Sequence, residues 1–458
     1  MSAKAALSRL KRLLGSRCLT DKLSRVQYSY DATQLQYEPD VVVLPESTKE
    51  VSEVLKIASK YRIPVVPRGW GSGFTGGCLN VRGGIALSLE RMDAIVSFDQ
   101  ENMLVRVQAG IANYRLQEFL RPFGLMFPPD PSSWKFSSIG GNIAENAGGP
   151  RAVKYGVTKN WVKALQIVLA DGTVMEIGSA NVKDVAGYDL VDLIVGSEGT
   201  LAVVTEALLR LHPLPECVKT IQVIFNDIQK AAETVFTIMK NRIIPTALEF
   251  VDRAAINATR EALQLDLPTD ADAMLIIDID GSKAQVEEET KKLVKLIKGS
   301  DGVVDFKVAK DSSEAEELWL ARRSISPTLK RIADGKINED IVVPLSKIAT
   351  MIKKTQEISR RYRLPIINFG HAGDGNIHVN IMYHKDNNDE KRRAIQAMDD
   401  VFKSVLQLGG SITGEHGVGI TKKDYIEMQV GTPAMELMRR IKKAFDPDNI
   451  LNPGKMGL

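Results

Sequence analysis

Apolar and polar positions follow two periods along this chain, and the changes between them divide it. Residues 36–215 read as short strands mixed with helices and many glycines. The apolar run "DVVVLP" (40–45) has the look of a strand buried on both faces, and it ends at Pro45. "STKEVSEVLKIASKYR" follows with Val51, Val54, Leu55 and Ala58 at helical spacing, and Ser47 or Thr48 can cap it. "IPVVPRG" is a further strand, and "ALQIVLADGTVMEIG" a hairpin around Asp171-Gly172 with apolar residues alternating on both arms.

The pattern changes after "LRLHPLPE", where Pro213 and Pro215 suit a linker. From there to residue 410 strands alternate with amphipathic helices: "VKTIQVIFN", "IQKAAETVFTIMKNR", "AMLIIDID", "AQVEEETKKLVKLIKG". That predicts an α+β domain, an antiparallel sheet covered by helices. The expected division is 1–35, a helical N-terminal segment; 36–215; 216–410; and 411–458, helix and loop. In "MSAKAALSRLKRLLGSRCLTD" no acid precedes Asp21, and Leu7, Leu10 and Leu14 share a helical face. The basic residues interrupt any signal-peptide core, so the expectation is an amphipathic helix packed on the body rather than a transit peptide or partner-docking helix.

The chain has 458 residues with 60 basic and 57 acidic side chains, a formal charge of +3. That near balance lacks the clustered positive charge of backbone-driven nucleic-acid binding. No apolar run approaches the roughly 18 residues of a membrane span, and the expected location is cytoplasmic, peripheral to a membrane only through a partner. Cys18, Cys78 and Cys217 are scattered, which argues against a disulfide framework, a zinc ribbon or an iron–sulfur cluster within the chain.

"PVVPRGWGSGFTGG" (64–77) spells G-x-G-x-x-G at Gly71, Gly73 and Gly76. The dinucleotide fingerprint needs a helix starting inside the motif, and "GGCLNVRGG" cannot supply one. What remains is a strand followed by exposed backbone N–H groups able to cradle a diphosphate. Two further loops, "FPPDPSSWKFSSIGGNIAENAGGPRAVKYGVT" and "VGSEGTLAVVTE", are built to let backbone approach a large flat ligand.

A second signal is "GHAGDGNIHVN" (370–380). "LPIINFGH" and "NIHVNIMY" are strand-like, and Asp374-Gly375 suits a two-residue turn. That turn pairs residues whose numbers sum to about 749 and sets His371 opposite His378, their Cβ atoms roughly 4.5–5.5 Å apart. The plainer alternative is two histidines bonded to backbone around a turn. "TGEHGVG" (413–419) counts against it, because Glu415 and His416 between glycines are poor core residues. Two imidazoles and a carboxylate make a three-ligand set that leaves positions open for substrate or water.

Together with "KDVAGYDLVDLIVGSEGTLAVVTE", "INEDIVVP" and "FDPDNILNPGK", these motifs closely resemble FAD-linked oxidoreductases of the vanillyl-alcohol-oxidase type. Within that family the chain is similar to the D-lactate dehydrogenase, glycolate oxidase D-subunit and D-2-hydroxyglutarate dehydrogenase branch. The resemblance implies a two-subdomain PCMH-type FAD-binding domain over 36–215, an α+β cap, and a C-terminal segment completing the active site. It assigns Pro67, Gly69, Trp70, Gly71, Ser72, Gly73 and Gly77 to the FAD pyrophosphate loop. Pro129, Ser138, Gly141, Asn142, Ala144 and Gly149, with Tyr155 and Gly156, would line the flavin. Glu198, Gly199 and Val204 would hold the adenine side, and Asn452 would reach back from the C-terminus. Trp70 departs from the small residue common in relatives, as Ala202 departs from glycine. No histidine lies in the 64–77 loop, so histidyl-linked FAD is excluded there and noncovalent FAD is expected.

The resemblance also assigns His371, His378 and Glu415 to a divalent metal (zinc, manganese or iron), His416 to general-base work and Arg322 to the substrate carboxylate. Arg323 is the fallback, and Tyr155 and Lys336 are weaker candidates; Lys336 reads as a loop charge before "INEDIVVP". Asn368 and Asn376 are expected as neighbours, not ligands. The expected enzyme is an FAD- and metal-dependent D-2-hydroxy acid dehydrogenase acting on D-lactate or glycolate. Its electrons would pass to a protein, an electron-transferring flavoprotein or iron–sulfur subunit. A non-redox flavoenzyme of the alkylglycerone-phosphate synthase type and a flavin-carrying subunit without its own chemistry remain alternatives.

Overall fold

The computed structural model describes residues 3–263 and 268–458. Contacts divide the chain into two units, Met1–Gly149 with Gly156–Leu214 and Glu415–Leu458, and Pro150–Tyr155 with Pro215–Gly414. The short insertion Pro150–Tyr155 belongs to the second unit although its neighbours on both sides belong to the first.

In the first unit, β1 (Cys18–Leu19), β2 (Val41–Val43), β3 (Val65–Arg68) and β4 (Ile85–Ser88) form one sheet in the order β1-β2-β4-β3. β2 and β3 run parallel to β4, which is why their apolar runs do not alternate: both faces are covered. Helix Thr48–Tyr61 joins β2 to β3, with Ser47 Oγ accepting from Glu50 N at 3.3 Å and Val51, Val54, Leu55 and Ala58 buried. Helix Ala3–Leu14 packs against it through Ala6, Leu10 and Leu14, as its amphipathic pattern predicts, while Leu7 is only half-buried.

A second sheet in this unit is built from β5 (Ile95–Asp99), β6 (Leu104–Gln108), β8 (Val162–Val168), β9 (Val174–Gly178) and β10 (Val203–Arg210). Its order is β5-β6-β10-β8-β9, with neighbours antiparallel. The β8–β9 hairpin closes around Asp171-Gly172, as its alternation suggests. A small ribbon pairs β7 (Leu125–Met126) with β11 (His212–Pro213).

The second unit is a mixed α+β body around one antiparallel sheet of seven strands. They are β12 (Cys217–Phe225), β13 (Ala247–Asp252), β14 (Ala273–Gly281), β15 (Val303–Val308), β16 (Gly335–Val342), β17 (Ile366–His371) and β18 (Asn376–Tyr383). The order is β15-β12-β14-β13-β17-β18-β16. Val251, Met274, Ile276, Ile367 and Phe369 share a core with Ile256, Ile325 and Leu329 from the covering helices. Helices Ile348–Tyr362 and Asn388–Gln407 pack on each other, and the latter also on β16 and β18.

Two local expectations fail here. The β17–β18 pairs are Ile366 with Ile381 through Phe369 with His378, so paired numbers sum to 747 and His378 faces Phe369 rather than His371. The connection is a four-residue turn, Ala372 to Gly375, in place of a two-residue one. Lys336 lies within β16, not in a loop before it, and burial lowers its pKa, with Lys330 adding to the effect.

No described helix is long and apolar enough to cross a membrane.

Candidate active site

In the first unit the chain leaves β3 at Arg68 and runs without helix or strand to β4, so the glycine-rich segment is a loop and not a dinucleotide-binding turn. Three of its residues fix it. Arg68, buried, donates from Nη2 to Tyr30 O at 2.8 Å and from Nη1 to Cys78 Sγ at 3.1 Å. Trp70 donates from Nε1 to Gly110 O at 3.0 Å, an anchor that the small residue expected there could not make. Gly69 lies so close to Ser138 that a Cβ would collide with its Oγ. That hydroxyl is already engaged, accepting from Gly141 N at 3.1 Å as the cap of helix Ile139–Glu145, which carries Gly141, Asn142 and Ala144.

The C-terminus closes on the same loop. Val65 N donates to Ile450 O at 2.7 Å and Asn452 N to Val65 O at 2.8 Å. The Asn452 side chain donates to Gly77 O at 2.8 Å and Glu198 O at 2.7 Å. Glu198 N in turn donates to Ala144 O at 2.8 Å. Around this cradle Asn142 Nδ2, Ser137 Oγ and Asn452 Oδ1 are buried without a hydrogen-bond partner. Buried orphan donors and acceptors are costly and rare, so a cluster of them beside a glycine loop fits a polar cofactor that satisfies them.

Of the other predicted cofactor residues, Gly71, Ser72 and Gly73 lie in this loop and Pro67 in β3. A Cβ on Gly199 would come within 3.2 Å of Pro67 Cγ. Pro129 O accepts from Asn113 Nδ2 at 3.1 Å, Val204 lies in β10, and Gly149 and Gly156 flank the insertion. Tyr155 belongs to the second unit, where its hydroxyl donates to Asp280 Oδ2 at 2.8 Å.

Glu198 is buried beneath residues 417–419. Burial raises its pKa, while Val418 N and Gly419 N, each donating to its carboxylate at 2.7 Å, pull the other way. Glu145, whose Oε2 is buried, is held well above the usual carboxylate range by desolvation and then by the charge of Glu198. The loop carrying His416 is tied to the glycine loop as well. Thr75 Oγ1 donates to His416 O at 3.2 Å, Ile420 N donates to Thr75 O at 2.8 Å, and the Phe74 ring stacks on the imidazole at 5.1 Å.

In the second unit one sheet face carries the other charged groups. Residues two apart on a strand share a face, so Glu249, Phe369, His371 and His378 all point the same way. The two-residue slip in register preserves that side, and the His371 and His378 rings still meet, edge to face, at 5.2 Å. Glu249 is fully buried between an imidazole and a guanidinium: Oε1 lies 2.6 Å from His371 Nδ1, and Oε2 accepts from Arg322 Nε at 2.7 Å. Burial pushes the Glu249 pKa up, but His371 and Arg322 outweigh it and hold the carboxyl below its usual range. The Arg322 guanidinium lies over the Phe369 ring at 4.7 Å, and that ring packs on His378 at 5.5 Å. Arg323 turns instead to Glu316.

Asp340 on β16 organises the far side. Its Oδ1 accepts from Asn376 Nδ2 at 2.5 Å and lies 3.9 Å from His378 Nδ1, while Oδ2 accepts from Gly414 N at 2.9 Å. Gly414 is peptide-bonded to Glu415. Asn368 is held by Asp252 through its N–H at 2.6 Å and its side chain at 3.2 Å.

Glu249 and Asp340 were not singled out in the sequence. Glu249 had a signal, an acid flanked by apolar residues in "TALEFV", while Asp340 stands beside Glu339 ahead of the apolar run in "NEDIVVP".

A helix-free glycine loop closed by the C-terminus in one unit, and an antiparallel sheet in an α+β body in the other, are the two parts of a flavin-linked oxidoreductase. The chain belongs to the FAD-linked oxidases: residues 39–178 match the FAD binding domain model and residues 214–456 the C-terminal domain of FAD linked oxidases. It is 45% identical to glycolate oxidase subunit GlcD of Bacillus subtilis, over 94% of this chain and 92% of that one. To a D-lactate dehydrogenase of Anaerostipes hadrus it is 32% identical, over 98% and 96%. Among solved structures, p-cresol methylhydroxylase shares its fold with a TM-score of 0.82, at 18% identity over 99% of this chain and 96% of that one.

Proposed function

We propose that this protein is an FAD- and divalent-metal-dependent D-2-hydroxy acid dehydrogenase acting on D-lactate or glycolate. The observation that carries this reading is the sheet face on which Glu249 holds both His371 and Arg322 beside His378. With Glu415 next in the chain after Gly414, two imidazoles and a carboxylate each offer one ligand atom, the donor set of a catalytic metal. The names of the relatives, glycolate oxidase subunit and D-lactate dehydrogenase, support the substrate class.

When bound, noncovalent FAD supplies a two-electron acceptor for the hydride of the α-carbon, and zinc, manganese or iron a Lewis acid for the α-hydroxyl. His371, fixed at Nδ1 by Glu249, would present Nε2 to the metal, and His378 and Glu415 would complete the ligands. Arg322 keeps its Nη edge for the substrate carboxylate, because Glu249 takes only Nε. His416, its ring steadied on Phe74, accepts the hydroxyl proton as the carbonyl forms. The products are the 2-oxo acid, one proton on His416 and the hydride, two electrons with their proton, on the cofactor. We assign their removal to an electron-accepting protein, an electron-transferring flavoprotein or iron–sulfur subunit. The non-redox alternative draws only on fold likeness: a solved alkyldihydroxyacetonephosphate synthase is 20% identical at a TM-score of 0.76.

Anaerobic mixing of the flavin-loaded, metal-loaded protein with D-lactate, L-lactate, glycolate and D-2-hydroxyglutarate tests the reading. Glycolate or D-lactate should bleach the flavin; bleaching by none of the acids sinks it. His378→Ala should lose bound metal and turnover together, and retention of both would remove the metal from the mechanism.

A further inference from the structure

We propose that Glu249 is a positioning residue that couples the two ends of the substrate site, orienting the metal-facing imidazole of His371 with one oxygen and the carboxylate-binding Arg322 with the other. The inference rests on the function proposed above and deepens it. Glu249 sits on the inner strand β13, opposite His371 in register, and its side chain is fully buried. A carboxylate so placed is strongly destabilising unless paired and hydrogen-bonded. Both oxygens are used, one on His371 and one on Arg322, at 2.6 and 2.7 Å.

This geometry makes demands on both partners. Nδ1 of His371 must carry the proton it gives to Glu249, so the lone pair is left on Nε2, the atom that would ligate. Arg322 is held through Nε and lies over Phe369, whose ring also packs on His378. Rotation of either partner about its hydrogen bond would pull on the shared carboxylate. The metal end and the carboxylate end therefore share one pivot, and loss of the pivot must be felt at both.

Glutamine separates this role from mere packing. Glu249→Gln keeps shape and volume but has one acceptor and one NH2 group. It can accept from His371 or from Arg322, not both, and turns a donor on the other. We expect Glu249→Gln to bind added Mn2+ or Zn2+ about 10-fold or more weakly, the range seen when an outer-shell partner of a metal histidine is lost. We also expect a raised KM for D-lactate or glycolate. Glu249→Asp, which keeps the charge at a shorter reach, should recover part of both.

Double-mutant cycles give the decisive readout. If Glu249 acts through His371, Glu249→Gln costs much less metal affinity in a His371→Ala background than alone. Its effect on KM should likewise shrink in an Arg322→Gln background. Full additivity in both cycles, or wild-type metal affinity and KM in Glu249→Gln, overturns the inference. Should Glu249→Gln not fold, Arg322→Gln serves alone. It should weaken metal binding several-fold although Arg322 is no ligand, and unchanged metal affinity there overturns the coupling. Direct metal titration of the wild-type protein comes first. No binding by the wild type would refute the metal-dependent reading and this inference with it. Binding by the wild type with no coupling would refute this inference alone.

Discussion

Asp252 shows how one buried carboxylate writes a pH dependence into the second unit. It caps helix Arg253–Leu263, accepting from Ala255 N at 2.9 Å, and holds Asn368 with its other oxygen. Burial dominates these donors and raises its pKa to about 6. In the unfolded chain an aspartate titrates near 3.9, so between those values the folded state binds the extra proton. Stability from this group is therefore full below about pH 4 and is lost as pH rises through about 6, by up to about 3 kcal/mol. Asp252→Asn removes that term. Thermal midpoints of the variant, relative to wild type, should rise as pH goes from 4 to 7, and a constant difference would contradict the sign. The same scale explains what could be read beforehand. The glycines, histidines and Glu415-His416 stood out because their types are unusual in ordinary helices and strands. Glu249 did not, because His371, the partner that gives it meaning, lies 122 positions away.

Elements were legible where burial repeats with a period and misread where a neighbouring strand overrides a turn. Helix Thr48–Tyr61, the β8–β9 hairpin and the strand–helix alternation after Pro215 all follow from spacing. The β17–β18 connection did not, although Asp374-Gly375 is a strong turn pair. Val343 N donates to Gly375 O at 3.0 Å, and Asn376 Nδ2 donates to Ile341 O at 3.0 Å and to Asp340. The end of β16 thus dictates a four-residue turn, and local preference yields to tertiary hydrogen bonds. Gly375 carries the consequence: its φ is +84°, and a Cβ would collide with Val343 O. Gly409, at φ +74°, has nothing within 4 Å of its would-be Cβ. Gly409→Ala should cost only the left-handed penalty of about 1–2 kcal/mol. Gly375→Ala should cost clearly more and, with the metal site proposed above, weaken metal binding through His371 and His378. Equal melting shifts for the two variants would show that the β16 contact does not constrain the turn.

At the scale of the chain, the fold returns its last residues to the loop that begins its chemistry, a closure that sequence pattern alone does not show because it joins segments hundreds of positions apart. Lys442, buried, places its ammonium on Thr200 O at 2.8 Å, Leu451 O at 2.8 Å and Asp446 Oδ2 at 2.5 Å. Burial lowers its pKa and Asp446 opposes that shift. Beyond it, Lys455, also buried and lowered to about 8 by burial, donates to Leu79 O at 2.7 Å. These cations, with the Asn452 bonds to Gly77 and Glu198, fasten the C-terminus beneath the glycine loop. Ending the chain after Phe445 would strip Lys442 of two of its three partners, and breaking such a buried pair costs about 3–5 kcal/mol. It would also remove Asn452 from the cradle. The truncated protein should therefore purify with little FAD and a lower melting transition. Asn452→Ala, which keeps every lysine contact, should lose affinity for FAD with a much smaller shift in melting. If the truncation retains full flavin content, the C-terminal return is not part of the cofactor site. If Asn452→Ala retains it while the truncation loses it, the lysine anchors matter rather than the asparagine.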